Sequence, residues 1–205
     1  ERIRKPNPPF TTSSLQQEAS NKLGFYTKRT MIIAQQLYEG VEIKGHGTVG
    51  LVTYIRTDSV RVSDEAQQAV TKYIINSFSS NYIGNNVYSN KKKDVQDAHE
   101  AIRPSIVTFH PDEIKESLTR DQYKLIWSRF VASRMTPAVY DSVSAEISNG
   151  DYLFRASGSK LKFDGYLRVY NNSSDEDKEK MLPHIQAGDT PELVELLTEQ
   201  NFTQP

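Results

Sequence analysis

Residues 14–40 read SLQQEASNKLGFYTKRTMIIAQQLYEG, and this stretch determines the fold class of the first half of the chain. Apolar residues recur at helical spacing up to Gly24, a natural helix stop, and again from about residue 27 to 38, just before Gly40. Two short helices joined in this way are typical of a helix-turn-helix and of an ordinary helical hairpin, and the pattern alone favours the hairpin. Hydroxyls that can cap the first helix belong to Thr12, Ser13 and Ser14.

The sequence on either side of this helix pair predicts extended structure. The proline-rich lead-in at 5–9 cannot be helical. The glycine-punctuated stretch 44–48 predicts a flexible loop or a hairpin turn. The apolar run 49–55 then predicts a β-strand that breaks at Arg56.

Two further helices follow. Ser63 and the acidic residues after it predict the start of a third helix, because carboxylates are favourable in the first turn. The spacing of Thr119 and Gln122 predicts a capping box that starts a fourth helix, and Pro137 stops it. The apolar faces of these helices contain Ala66, Val70, Tyr73, Ile74 and Phe78 in the third and Tyr123, Ile126, Trp127, Phe130 and Val131 in the fourth.

Beyond residue 138 the apolar period changes from 3.6 to 2. Alternation over 139–147, the turn sequence Asn149-Gly150 and an apolar stretch from Tyr152 predict a β-hairpin. The sequence therefore places a boundary near residue 138, between a mostly helical module and a β-rich piece. Later elements are predicted as a strand over 161–170 and a strand or short helix over 192–197.

Composition and charge narrow the function classes. With 37% hydrophobic residues among 205 and a mean hydropathy of −0.61, the chain is a polar globular protein without a run near the ~18 apolar residues of a membrane span. The absence of cysteine excludes disulfides, thiolate metal sites and a cysteine nucleophile. Residues 1–140 carry 19 Lys+Arg against 14 Asp+Glu, whereas 141–205 carry 6 against 12, so only the first part favours a polyanion. From the start at Glu1 and the end at Pro205 we expect a piece of a longer protein.

The first candidate site is TYIRTDS at 53–59. A tyrosine at the end of a strand usually packs in the core, but Arg56 follows Tyr54 at the second position, so both side chains of an extended segment point to one face. A phenol, whose ordinary pKa is near ~10, needs a nearby positive charge or a proton acceptor to act as a nucleophile. The Arg56 guanidinium can stabilise a phenolate and grip two oxygens of a phosphodiester.

The second candidate site is HEAIRP at 99–104, which puts an imidazole, a carboxylate and a guanidinium just before a rigid proline. One interpretation is a solvated loop with local ion pairs. The other is a second phosphate clamp, formed by His99 and Arg103, in which the imidazole donates a hydrogen bond to the leaving oxygen or exchanges a proton with it.

A third pattern, an acidic motif, is not expected to bind a metal. Asp175, Asp177 and Glu179 spell D-x-D-x-E, the letters of a Mg²⁺-binding motif. Hard-cation sites need carboxylates that are held rigidly, and these lie in a polar loop with alternating lysines. We therefore expect no metal to bind there.

The two strong blocks occur in order behind PFTTSSLQQ at 9–17, and this combination resembles the central part of bacterial type IA DNA topoisomerases. The resemblance runs through the whole chain, including TMIIAQQLYEG at 30–40 and FDGY at 163–166. It implies an α+β fold. Its parts are an extended lead-in from the β-rich arch domain (1–13), a helical DNA-gate domain with a helix-turn-helix or winged, catabolite-activator-like core (14–138), and a β-rich arch or hinge segment (139–205).

The resemblance also implies roles for single residues. Tyr54 is the nucleophile that forms a 5′-phosphotyrosyl bond with one DNA strand, and Arg56 positions the phosphate and stabilises the transition state. His99 contacts a nearby phosphate. Supporting positions in or around the cleft are implied for Asp58, Thr57, Gln35, Glu39 and Arg103.

For the whole protein, the resemblance implies ATP-independent relaxation of negatively supercoiled DNA by strand passage through a transient single-strand break. The implied partners are single-stranded and supercoiled DNA and an N-terminal Mg²⁺-binding domain of the same chain, in a monomeric cytoplasmic protein associated with the nucleoid. Because that domain precedes this region, Mg²⁺ is expected to bind outside it, and residues 1–205 alone are expected not to relax DNA.

Other interpretations remain open from the residues themselves. One is a non-catalytic helix-turn-helix DNA-binding module in which Tyr54 only packs. Another is an interaction segment without a DNA role, which the acidic β-rich part would suit. A third is a different tyrosine nucleophile enzyme, such as a recombinase or relaxase, which usually needs clusters of arginine and histidine that four scattered histidines do not supply.

Overall fold

The computed structural model describes residues 1–43, 45, 47–89, 99–171, 182–192, 194–195 and 197–203. The described residues contain four α-helices and two antiparallel sheets, which confirms the α+β fold class. None of the described helices is long and apolar enough to cross a membrane. The elements are β1 (Arg2–Arg4), α1 (Thr12–Leu23), α2 (Thr27–Glu39), β2 (Val41–Ile43), β3 (Gly47–Val49), α3 (Asp64–Ser77), α4 (Ser117–Ser133), β4 (Ala138–Asn149) and β5 (Tyr152–Phe163).

The helix pair α1–α2 forms where the sequence predicts it, but the first cap differs. The N-cap of α1 is Thr11 rather than one of the three hydroxyl residues after it, and its side chain forms a reciprocal capping box with Ser14. Gly24 ends the helix in the left-handed conformation, with φ at 64°. Gly40 ends α2. The helix-turn-helix interpretation of this pair stays a prediction.

The third helix is confirmed, whereas the start of the fourth was predicted wrongly. Ser63 caps α3 as expected. In α4 the cap is Glu116, whose carboxylate accepts hydrogen bonds from the Leu118 and Thr119 backbone amides at 3.1 and 2.5 Å. The predicted capping-box residue Gln122 is buried instead and donates from Nε2 to the Thr30 carbonyl at 2.9 Å. This amide therefore ties α4 to α2.

The β-hairpin after residue 138 is confirmed. Strands β4 and β5 pair along their whole length. Because Asn149 pairs with Tyr152, the turn consists of Gly150 and Asp151, one residue later than predicted. β1 adds to β4 to give a three-stranded antiparallel sheet. Strands β2 and β3 form a separate hairpin. The predicted strand over 161–170 is wrong, because its first residues belong to β5 and a 3₁₀ turn, Gly165–Arg168, then buries Tyr166. The described residues of 192–197 are neither strand nor helix.

The hydrophobic core is centred on α4. Its predicted apolar face is confirmed, since those five side chains are all at most 6% exposed. Side chains of α1, α2 and α3 pack against the same core, as do those of the irregular segment that follows β3. That segment carries the first candidate site.

Candidate active site

The Tyr54 segment is not the strand that its apolar run predicts. β3 ends at Val49, and within 51–59 only Val52 forms a bridge, to Pro104. The alternating exposure survives without a strand: the side chains of Tyr54, Arg56 and Asp58 are exposed, and the three residues that follow them, Ile55, Thr57 and Ser59, are buried. The tyrosine and the arginine are therefore both accessible to solvent, whereas their placement on one face of a strand stays a prediction.

One side of this segment is fixed by Thr12, at the start of α1. Its Oγ1 donates to the Ile55 carbonyl at 2.7 Å and accepts from the Thr57 amide at 2.9 Å. Its own amide donates to the Thr57 carbonyl at 2.9 Å. A single hydroxyl thus satisfies backbone groups on both sides of Arg56, where no strand partner is present among the described residues to do so.

The other side is fixed by Thr53. Its Oγ1 donates to the Ala101 carbonyl at 2.7 Å and accepts from the Arg103 amide at 3.0 Å, and its amide donates to the Arg103 carbonyl at 3.0 Å. These bonds join the two sequence motifs directly. The structure therefore brings the Tyr54 and His99 blocks into one site.

The Tyr54 ring lies between two other rings. The centroids of Tyr54 and His99 are 5.2 Å apart, and those of Tyr54 and Tyr38 are 5.6 Å apart in an edge-on arrangement. The Tyr54 side chain is still 40% exposed. The phenol is thus held by ring contacts while remaining open to a large substrate.

The Arg103 side chain is bonded to groups of its own segment. Its Nε donates to Glu100 Oε2 at 3.0 Å, a second nitrogen also pairs with that oxygen, and Nη1 donates to the Pro104 carbonyl at 3.0 Å. Burial raises the pKa of Glu100, but hydrogen bonds and charge from Arg103, with a smaller effect of Ser63, outweigh it and leave the pKa below its ordinary value. The pair holds the His99 segment in shape.

The other predicted residues lie around the site. In α2, Gln35 Nε2 donates to Glu39 Oε1 at 2.6 Å. Thr57 is buried, and its Oγ1 accepts from the Ser59 amide at 3.0 Å, so it shapes the turn after Arg56. Asp58 is exposed.

A metal centre is not evident in the described part of the chain, where no three or more carboxylate and imidazole groups cluster as ligands. The acidic residues Asp175, Asp177 and Glu179 lie outside the described residues.

Sequence reasoning missed three residues of the site: Thr12, Thr53 and Tyr38. Thr53 precedes Tyr54 in the motif, but nothing in a single sequence indicates that its hydroxyl bonds 48 and 50 residues away. The Thr12 hydroxyl likewise hydrogen-bonds to residues 43 and 45 positions away in the sequence. The signal that could have drawn attention to Tyr38 is its place in α2, one residue before Glu39.

Chemically, the arrangement offers an exposed phenol with an imidazole ring beside it and an exposed guanidinium two residues on, all on a rigid base. A phenol in such a setting can attack an electrophile, and the guanidinium can hold an anionic group.

Comparisons with known proteins identify the family of the chain. The structure is similar to full-length topoisomerase I from Thermotoga maritima in a monoclinic crystal form, with 39% sequence identity and a TM-score of 0.75 over 90% of this chain. The chain spans 30% of the length of that protein. A family model described as DNA topoisomerase matches residues 1–205. The chain therefore belongs to the DNA topoisomerase family.

Proposed function

We propose that Tyr54 is the nucleophile of a type IA DNA topoisomerase. The observation that carries this proposal is the exposed Tyr54 ring between His99 and Tyr38, beside the exposed Arg56. The Tyr54 oxygen attacks a phosphodiester of single-stranded DNA, the bond from phosphorus to the 3′ oxygen breaks, and a 5′-phosphotyrosyl bond and a free 3′-hydroxyl form. The 3′-hydroxyl later attacks the phosphotyrosine and restores the strand.

The surrounding side chains have separate parts in this reaction. Arg56 binds phosphate oxygens and stabilises the charge that develops on them. His99 hydrogen-bonds to the same or the next phosphate. Because the phosphotyrosine conserves the energy of the broken bond, the break can be resealed without ATP.

The whole enzyme, in this proposal, relaxes negatively supercoiled DNA by passing a strand through the break. Mg²⁺ belongs to an N-terminal acidic domain outside these 205 residues. Residues 1–205 alone therefore do not relax DNA, and at a net charge of −1 they bind it weakly and in a salt-dependent way.

A covalent-capture experiment tests the proposal. The chain is mixed with the separately expressed N-terminal domain, Mg²⁺ and a single-stranded oligonucleotide, then denatured and examined by mass spectrometry. We expect a DNA adduct on Tyr54 that is absent in Tyr54→Phe. Assembly and DNA binding without an adduct would instead favour the non-catalytic DNA-binding module.

A further inference from the structure

The backbone on either side of Arg56 is held by one residue from outside its own segment, Thr12 at the start of α1. The Thr12 Oγ1 donates to the Ile55 carbonyl at 2.7 Å and accepts from the Thr57 amide at 2.9 Å. The carbonyl belongs to the peptide group that precedes Arg56, and the amide belongs to the peptide group that follows it. Because peptide groups are planar, one oxygen atom thus restrains both backbone dihedrals of Arg56 and the direction of its Cα–Cβ bond.

The other hydroxyl bonds of this segment are local. Thr57 Oγ1 accepts from the Ser59 amide at 3.0 Å, and Ser59 Oγ accepts from the Arg61 amide at 3.1 Å. Bonds that span two residues shape a turn but do not place it against the helices. In the described part of the chain, the backbone hydrogen bonds of residues 55–57 to other segments all go to Thr12.

The Arg56 side chain has no partner that could direct it instead. It is exposed, and it forms no ion pair with any described residue. A long side chain loses conformational freedom when it binds a phosphate, and a fixed backbone lowers that cost because fewer directions are sampled. The position of the guanidinium relative to a phosphate at Tyr54 therefore depends on the backbone that Thr12 holds.

Thr12 is itself rigidly placed. The preceding residue, Thr11, caps α1 through a reciprocal capping box. Phe10 is fully buried, and its carbonyl accepts from the Ile102 amide at 2.8 Å. Since Ile102 belongs to the second sequence motif, the stretch 10–12 contacts that motif at one end and the backbone around Arg56 at the other.

We propose that Thr12 is a positioning residue for DNA cleavage and that it acts through Arg56. Its hydroxyl fixes the backbone that aims the guanidinium at the phosphate attacked by Tyr54. The contribution is made where charge develops on the phosphate oxygens, so it affects the rate of adduct formation more than the affinity for DNA. This proposal rests on the proposed function, because Arg56 has a phosphate to stabilise only if Tyr54 attacks one.

Capture kinetics, measured with the N-terminal domain, Mg²⁺ and increasing oligonucleotide concentrations, test this role. Thr12→Val keeps the side-chain shape and removes both bonds, and we expect the maximal rate of Tyr54 adduct formation to fall by about ten- to a hundredfold. The oligonucleotide concentration at half-maximal rate should change by less than about threefold. Thr12→Ser, whose hydroxyl can donate and accept in the same way, should recover most of the rate.

A double variant shows whether Thr12 acts through Arg56. Arg56→Ala alone should slow adduct formation on the order of a hundredfold, because a group that stabilises developing charge is lost. In the Arg56→Ala background, Thr12→Val should cause at most about a further twofold loss, since the side chain that it directs is absent. A full additional loss would show that Thr12 acts on Tyr54 or on the fold, and it would overturn the proposal.

Thr11→Val is the matched control, because it exchanges the neighbouring hydroxyl for a methyl group. It removes the side-chain cap of α1 but no bond to residues 55–57, so it should lower the urea midpoint and leave the adduct rate unchanged. Equal slowing by Thr11→Val and Thr12→Val would contradict a specific role of the Thr12 hydroxyl. If circular dichroism shows that Thr12→Val does not fold, Thr12→Ala replaces it in the same comparisons.

The proposed function and the role of Thr12 fail in different ways. A Tyr54 adduct that forms in the unaltered chain, and at the same rate in Thr12→Val, leaves the proposed function intact and overturns only the positioning role. No adduct in the unaltered chain, despite assembly with the N-terminal domain and DNA binding, contradicts the proposed function and the role of Thr12 together.

Discussion

Thr53 is the residue through which the two motifs of the site are joined, because its hydroxyl bonds to both Ala101 and Arg103. Thr53→Val keeps the shape of the side chain and removes these bonds. We expect a loss of unfolding free energy of about 1–2 kcal/mol. We also expect Tyr54 adduct formation to slow on the order of tenfold to a hundredfold, because the phenol is no longer held in position.

The adduct rate and the affinity for the oligonucleotide distinguish positioning from binding in this variant. Thr53→Ser, which restores the hydroxyl, should recover most of the rate. An unchanged rate in Thr53→Val would show that the ring contacts alone position Tyr54.

Glu100 makes the site sensitive to acid. Its folded-state pKa is lowered, so it contributes stability that is present above its ordinary pKa and is lost as the pH falls through the folded-state value. Glu100→Gln should therefore lower Tm at neutral pH and flatten the fall of Tm below about pH 4.5. Thermal melts from pH 3 to 7 measure this, with Asp151→Asn in the exposed β4–β5 turn as the control. An equal acid dependence in Glu100→Gln and the parent would contradict it.

For single residues, the sequence indicates the candidate reactive side chains more readily than it indicates the side chains that hold them in position. Tyr54, Arg56 and His99 can be selected because phenol, guanidinium and imidazole have distinctive chemistry at short spacing. The hydroxyls of Thr12 and Thr53 cannot be selected, since threonine is ordinary on a surface and their partners lie more than 40 residues away.

At the scale of elements, two glycines have different tasks. Gly24 ends α1 with positive φ, and a Cβ there meets nothing within 4 Å. At Gly50, which joins β3 to the Tyr54 segment, a Cβ would lie 2.8 Å from the Tyr38 carbonyl oxygen. The Leu51 amide donates to the Leu37 carbonyl at 2.7 Å, so this close approach anchors the segment to the end of α2.

The two glycine-to-alanine variants should therefore differ in function more than in stability. Gly24→Ala should cost about 1 kcal/mol through the left-handed backbone and leave Tyr54 adduct formation unchanged. Gly50→Ala should displace the segment and slow adduct formation. Urea unfolding and the capture experiment measure both effects. Equal adduct rates in the two variants would disprove the anchoring role of Gly50.

Elements were predictable where their signals are local. Helices α1 to α3 end or begin at glycines and hydroxyl caps that stand next to them in sequence. The run 49–55 was mispredicted because its apolar residues pack in the core from an irregular backbone. The hydrogen-bond partners of that backbone come from residues 12, 37 and 101–105. The cap of α4 was missed because Glu116 is an uncommon cap, while Thr119 and Gln122 fit a commoner pattern.

On the scale of the whole molecule, a buried cluster around Arg129 connects four separate parts of the chain. Its guanidinium is centred 4.8 Å from the Phe10 ring and 5.4 Å from the Tyr170 ring, and its Nε donates to the Pro8 carbonyl at 2.8 Å. The Tyr170 hydroxyl donates to Glu18 at 2.7 Å. Burial, followed by this hydrogen bond, raises the pKa of Tyr170, so the hydroxyl remains a donor at neutral pH. The Arg129 guanidinium therefore lies where four parts of the chain meet: residues 8–10, α1, α4 and the segment after β5.

Removal of that charge should loosen all four parts together. Arg129→Met keeps roughly the volume but removes the donor to the Pro8 carbonyl and the cation beside the Phe10 ring, and it leaves Lys22 as the cation at the Glu18–Tyr170 pair. We expect unfolding free energy to fall by about 3 kcal/mol. Arg129→Lys should recover little of this loss, since an ammonium group cannot lie flat between two rings and bond to Pro8. Tyr170→Phe alone should lose about 1 kcal/mol.

The unfolding free energy of each variant is measured by urea unfolding, monitored by the fluorescence of Trp127 in α4, the single tryptophan of the chain. If the cluster acts as one unit, the double variant Arg129→Met/Tyr170→Phe loses less than the sum of the single losses, because the second change removes a contact that is already broken. Additive losses would mean that Arg129 holds the lead-in independently of Tyr170. The four parts would then be joined in separate pairs, and the segment after β5 could detach from the helices without disturbing the Tyr54 site.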